Sequence, residues 1–279
     1  MKKVLTKILN AFDEYSRYVK TLNYLISLAA LFYVFKFIFD TSYEFRFSIS
    51  YIIPIFVFLL GLTIFSIGWS LLINQGTTNL HDVGIWMKSN IGKYLPFKVG
   101  VPILRASAER DDENSKEVKD ILIKTLSEQF MILSCSSIVG ILYFVNNAQI
   151  QKTLFYILIP LSVLVFYLCR NKNKYLKSGS FFFLGQIVLV LGILLLFNII
   201  YGYLDINFVL GYMLITSVSM LFIGAPAGLG IREFLGLTLL IGDLDKVYVV
   251  EFLLIVRVLL VISDILLFFI GGKINRLQK

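Results

Sequence analysis

Charge is scarce in this sequence. Asp, Glu, Lys and Arg make up 16% of its 279 residues, while apolar residues reach 58%. A typical soluble domain carries about 25% charged and about 45–50% apolar residues, so the composition argues against a soluble enzyme with a solvated surface. Disorder is ruled out too, because 25 Phe and 15 Tyr do not belong in a chain that lacks a core. Cysteine is nearly absent. Cys135 and Cys169 lie inside apolar runs, which predicts no structural disulfide, and no CxxC or Cys/His pattern predicts a metal site. His81 is the single histidine, so any acid–base chemistry would have to rest on carboxylates. No HExxH, Walker A, GxSxG or dinucleotide fingerprint is present. These absences lead us to expect no enzyme activity, no cofactor, no metal and no nucleic-acid partner.

What the sequence does have is long apolar runs, with mean hydropathy +0.82. A membrane-crossing helix needs about 20 apolar residues. Runs of that kind predict spans at Leu22–Phe39, Tyr51–Ile73, Ile121–Phe144, Thr153–Cys169, Phe181–Tyr201, Ile206–Ile223 and Val247–Ile270. A shorter piece, Ile231–Gly242, precedes the last span. Residues 1–21 carry charges throughout, which is unlike a secretory signal. Val4, Ile8, Phe12, Tyr15 and Val19 recur there at helical spacing, which reads as an amphipathic helix on the membrane surface or as a plain cytosolic tail.

The net charge of +8 is informative once its charges are placed along the chain. Five Lys/Arg lie before the first span, seven in 74–120, four in 170–178 and three in the C-terminal tail. The intervening segments hold one, one, none and one. By the positive-inside rule the basic set faces the cytoplasm. Both termini are then cytoplasmic, in a protein of the cytoplasmic membrane, and the number of crossings is even. That requires Ile231–Gly242 to cross, although twelve helical residues cover only about 18 Å of a core of about 30 Å. The bend at 224–230 is therefore expected within the membrane, where irregular backbone survives only in protein or beside a wet cavity. A fully re-entrant loop is the alternative. The expected fold is all-α: a single integral membrane domain over 1–279, with about eight crossings including a broken helix pair at 224–242. Segment 74–120 forms a second, Pro/Gly-interrupted re-entrant piece.

Two stretches carry the chemistry. The bend reads Gly224-Ala225-Pro226-Ala227-Gly228-Leu229-Gly230-Ile231-Arg232-Glu233. Proline removes a donor and breaks a helix, and the glycines allow unusual dihedrals. A helix starting after such a break presents free N–H groups and a positive dipole end, which together with Arg232 suit an anion. The same residues also suit plain packing, with Gly224 and Gly228 as a small-residue contact. The earlier stretch, Lys93-Tyr94-Leu95-Pro96-Phe97-Lys98-Val99-Gly100, leads to Arg105. Both stretches run Pro, then Gly four residues later, then Arg. Paired interruptions of this kind are what transporter binding sites often look like.

The run Pro226 to Glu233 resembles the proline-glycine-arginine-glutamate signature of the lysylphosphatidylglycerol synthetase/flippase membrane-region family. Tyr94, Leu95, Pro96 and Gly100 resemble that family's earlier Y-L-P-G-K motif, with Phe97 in place of a glycine, and Ala227 departs from a glycine in the later one. The order of spans and broken segments extends the resemblance over nearly the whole chain. It implies a lipid-translocating or lipid-handling membrane protein. The family's bifunctional members add a soluble aminoacyl-transferase domain. No such segment occurs up to Lys279, so lysyl-lipid synthesis is not expected.

Ionisable residues inside apolar runs are functional candidates by default, because the membrane makes them expensive. Arg105, Gly228, Gly230, Arg232 and Arg257 are the candidate headgroup ligands. Glu128, Glu233 and Asp264 are the supporting carboxylates, and Tyr94, Pro96, Gly100 and Pro226 form the interrupted motifs. The same charges also read as structural ion pairs, Arg257 with Glu128 or Asp264. Trp69 is expected as an interfacial anchor, Trp86, a residue type favoured at membrane interfaces, lies in a mildly amphipathic stretch, and Gln186 and Asn198 are expected to bond helix to helix. The leading function is a flippase-like protein moving an anionic phospholipid or lipid-linked intermediate, its partners being membrane lipids. Two alternatives stand: a membrane partner of a glycolipid or polysaccharide assembly enzyme, and a small polyprenyl-phosphate-dependent glycosyltransferase using Asp40 and Glu44.

Overall fold

The computed structural model describes residues 48–94, 100–110, 118–145, 148–169, 173–221, 228, 230–240 and 246–277. The expected first span Leu22–Phe39, the N-terminal segment, Asp40, Glu44, Pro96 and Pro226 lie outside the described residues. Every regular element among the described residues is helical. The helices are α1 (Ile52–Ile73), α2 (Leu80–Ser89), α3 (Gly100–Arg110), α4 (Val118–Gly140), α5 (Ala148–Cys169), α6 (Lys174–Tyr201), α7 (Ile206–Leu221), α8 (Ile231–Leu239) and α9 (Lys246–Leu277). A 3-10 turn, Asn90–Tyr94, follows α2 directly.

Four helical stretches are long and apolar enough to cross a membrane: Ile49–Ile73, Asp120–Phe144, Lys174–Tyr201 and Lys246–Leu277. Their outer faces carry bare apolar side chains, such as Phe56, Leu60, Phe130, Ile138, Leu266 and Phe269. Their inner faces bury polar ones, among them Ser66, Glu128, Ser136, Gln186 and Asp264. That is the reverse of a soluble protein, as expected when the surrounding solvent is hydrocarbon.

Local sequence explains the boundaries. Pro54 falls in the first turn of α1, where helix N–H groups lack intrahelical partners. The Asn173 side chain caps α6 by accepting the Tyr175 N–H at 3.2 Å. Helix α6 ends at Gly202 in the left-handed region (φ 77°), with its N–H donated to the Asn198 carbonyl at 2.8 Å. The structure thus extends α6 back to Lys174, into the basic loop read from sequence as 170–178. The cap at Asn173 outweighs the two lysines of the first turn.

Helices α1 and α6 pack along their length, with Phe65 edge-on to Phe182 at 5.8 Å. Ser178 Oγ donates to the Gly68 carbonyl at 2.6 Å. Gln186 of α6 donates to Met213 Sδ of α7 at 3.2 Å, a bond between helices as its sequence setting suggested. The α1–α2 connection is anchored by lysines. Lys124 Nζ donates to the Ile73 carbonyl at 3.2 Å and Lys177 Nζ to the Gly76 carbonyl at 2.8 Å.

The described parts of 74–120 are largely helical. Helix α2 lies against α9 and α1, and Val83, Ile85, Trp86 and Met87 are all buried. The crossing of α2 with α9 is close because both helices have glycine there: a Cβ on Gly271 would lie 2.6 Å from the Gly84 carbonyl oxygen.

Candidate functional site

Among the described residues, the charged site candidates fall into three groups, each built where a short element meets a long helix.

The first group is sealed. Arg105 of α3 and Glu128 of α4 form an ion pair in which each side chain is 1% exposed. The guanidinium also donates from Nε to Ser89 Oγ at 3.1 Å and lies within 3.5 Å of Thr125 Oγ1. It lies 4.1 Å from the Trp69 ring centre and 5.8 Å from that of Trp86. Trp86 Nε1 donates to the other side of the Glu128 carboxylate at 2.5 Å. Both charges are therefore neutralised, hydrogen-bonded and covered by aromatic faces. This corrects two expectations. Trp69 is 0% and Trp86 2% exposed, so neither is an interfacial anchor. The aromatic rings face a buried cation, which a sequence window does not display.

The second group lies on the C-terminal half of α9. Asp264 is fully buried and accepts three donors from the turn after α2: Asn90 Nδ2 at 2.6 Å, the Tyr94 hydroxyl at 2.5 Å and Lys93 Nζ at 2.7 Å. Asn90, Lys93 and Tyr94 converge because the turn is tightly wound and starts where α2 is already clamped to α9. Burial and the Asp264 carboxylate push the Tyr94 phenol above its ordinary value, so it stays a protonated donor. The charges of Arg257 and Arg232 act on the same phenol in the opposite sense.

The third group is the break itself. Gly228 and Gly230 both adopt positive φ, 73° and 79°, which L side chains rarely take. Gly230 caps α8, and its N–H donates to Glu233 Oε2 at 2.8 Å. The other oxygen of Glu233 pairs with Arg257 of α9. Arg257 thus pairs with Glu233 rather than with Glu128 or Asp264, because α8 packs directly against α9 at this level.

Arg232 has a different setting. Its Nε lies 3.4 Å from Ser219 Oγ and its Nη1 3.4 Å from the Tyr212 hydroxyl, both on α7. Both contacts are long and neutral. No carboxylate among the described residues pairs with it. Thr216 stands between Tyr212 and Ser219 on the same face of α7. It is 8% exposed, and its hydroxyl finds no partner among the described residues. Arg232 therefore keeps hydrogen-bonding capacity and an uncompensated charge beside a short stripe of hydroxyls. That combination can hold an anion.

The structure brings Gly228, Gly230, Arg232, Glu233 and Arg257 into one place, with Asp264 and Tyr94 adjoining. Arg105 and Glu128 stand apart and are saturated by their own partners. Gly100 opens α3, as Gly230 opens α8, so the glycine of each interrupted motif stands at a helix start. Tyr212, Thr216, Ser219, Asn90 and Lys93 were not singled out from sequence. Their signal was present for α7, since positions 212, 216 and 219 repeat at helical spacing in an otherwise apolar run. Comparisons with protein-family models, with curated proteins and with solved structures find no significant match to this chain.

Proposed function

We propose that the protein is a flippase-like lipid-handling protein of the cytoplasmic membrane, with both termini cytoplasmic. About eight crossings form its bundle, the described helices being joined by Leu22–Phe39 and by α7 and α8 as a broken pair. An anionic phospholipid or lipid-linked intermediate engages the Gly228–Arg232 break through its headgroup while its tails remain in the bilayer.

One observation carries this reading: Arg232 stands at the start of α8, in a chain with outward apolar faces, and no described carboxylate neutralises it. A part-buried charge with no described counter-ion is costly, so such a residue in a membrane marks a ligand site by default. The positive end of α8 and the Tyr212 hydroxyl add to the attraction. The likeness of Pro226 to Glu233 to the flippase membrane-region signature points the same way.

The test is reconstitution of the purified protein in liposomes with fluorescent phospholipids, following their transbilayer movement by dithionite quenching. Acceleration by the wild type and its loss in Arg232→Ala is the expected result. Equal movement in protein-free vesicles, or full activity in Arg232→Ala, overturns the reading.

A further inference from the structure

We propose that Glu233 sets the charge of the anion accepted at the Gly228–Arg232 break, selecting a headgroup with one negative charge over a diphosphate. This inference rests on the anion-site reading above.

Charge matching decides which anion fits. Two cations stand at the break, Arg232 and Arg257, and one carboxylate, Glu233, is paired with Arg257. One positive charge, that of Arg232, is left over among the described residues. A monoanion at Arg232 brings the group to neutrality. A diphosphate brings further negative charge beside Glu233, in a setting where water screens little, and repulsion there grows as the dielectric falls.

Glu233 cannot easily move aside. Its side chain is 3% exposed and is held from both ends, by the Gly230 N–H and by Arg257. It occupies the seat that a second anionic oxygen would need: one backbone donor at the start of a helix and one guanidinium. The carboxylate thus acts as a resident anion that fills half of a two-arginine site. The hydroxyls of Tyr212 and Thr216 serve the remaining half, where Thr216 has a buried donor to give.

The experiment measures binding and flipping separately, in phosphatidylcholine vesicles or nanodiscs doped with one of two probes. Phosphatidylethanol carries one phosphodiester charge and no other headgroup function. Diacylglycerol diphosphate with the same acyl chains carries more. Wild type is expected to prefer phosphatidylethanol by about tenfold or more. Glu233→Gln keeps a side chain that accepts from Gly230 and removes the charge, and it should reverse the preference. Arg232→Ala should lose both lipids.

A wild type that prefers the diphosphate lipid overturns the inference, and this measurement needs no variant to fold. An unchanged ratio in folded Glu233→Gln, with binding lost in Arg232→Ala, overturns the inference and leaves the anion site standing. Undiminished binding in Arg232→Ala overturns the anion site itself.

Discussion

Arg105 and Arg232 follow the prolines of the two interrupted motifs by nine and six residues, and both read alike in the sequence. Their surroundings are opposite. Arg105 is paired with Glu128, bonded to Ser89, covered by Trp69 and 1% exposed. Arg232 is only part-buried and has two long contacts to hydroxyls and no described carboxylate. The difference separates two uses of a charge inside a membrane. A charge whose partner, donors and cover are all supplied by the protein holds helices together. A charge left with spare donors is available to something outside the chain.

The comparison can be broken most sharply at Glu128. Glu128→Ala leaves a buried guanidinium without its counter-ion, and we expect a loss of about 3–5 kcal/mol of stability. Trp69 and Trp86, the two tryptophans of the chain, flank the site, so their emission during thermal unfolding in detergent reports the change directly. A shift no larger than that of a neutral surface substitution would show that the pair is not structural.

A smaller loss is expected from Tyr94→Phe. It removes one hydrogen bond to a buried carboxylate, about 1.5–3 kcal/mol. The pH sign follows from the raised phenol. Its contribution is fully present below the ordinary tyrosine value of about 10 and is lost as pH rises towards the folded value. Wild type should therefore destabilise more steeply above about pH 10 than Tyr94→Phe does. Parallel pH curves for the two proteins contradict the assignment.

Gly271→Ala tests the clamp that positions the Asp264 group. The added methyl meets the Gly84 backbone, and overpacking of this kind costs about 1–3 kcal/mol. Crosslinking between cysteines placed on α2 and α9 should become slower. Unchanged crosslinking would mean that the crossing is looser than its geometry implies.

The smallest stability effect is expected at Arg232, and it completes the comparison. Arg232→Ala removes two weak contacts and an uncompensated charge, so unfolding should shift by no more than about 0.5 kcal/mol. Lipid movement should nonetheless fall to background. A large loss of stability in this variant would place Arg232 in the same class as Arg105.

Much of the scaffold was legible in the sequence. The runs predicted at Tyr51–Ile73, Ile121–Phe144 and Ile206–Ile223 agree closely with α1, α4 with its following turn, and α7. Length and apolarity decide such spans, and both are local properties. Val247–Ile270 was too short by a turn or two at its C-terminal end, because α9 continues through Lys273 and Arg276 to Leu277, beyond the apolar run. The positive φ of Gly228 and Gly230 before α8 fits the glycines read there, because glycine takes such backbone at little cost. The partners were not legible. Arg257 was expected to pair with Glu128 or Asp264 and pairs with Glu233. Which carboxylate reaches which arginine depends on how α3, α8 and α9 cross.

By itself, then, the sequence determined the helical class and the position of the long apolar helices, since hydropathy and helix length are properties of neighbouring residues. The tertiary structure alone decided that Glu128 belongs to Arg105, Asp264 to Lys93 and Tyr94, and Glu233 to Arg257. It also decided that Arg232, unlike Arg105 and Arg257, has no described carboxylate partner. Electrostatic pairing is set by distance through space, and residues 23, 24 and 171 positions apart in the chain meet only after the helices have packed.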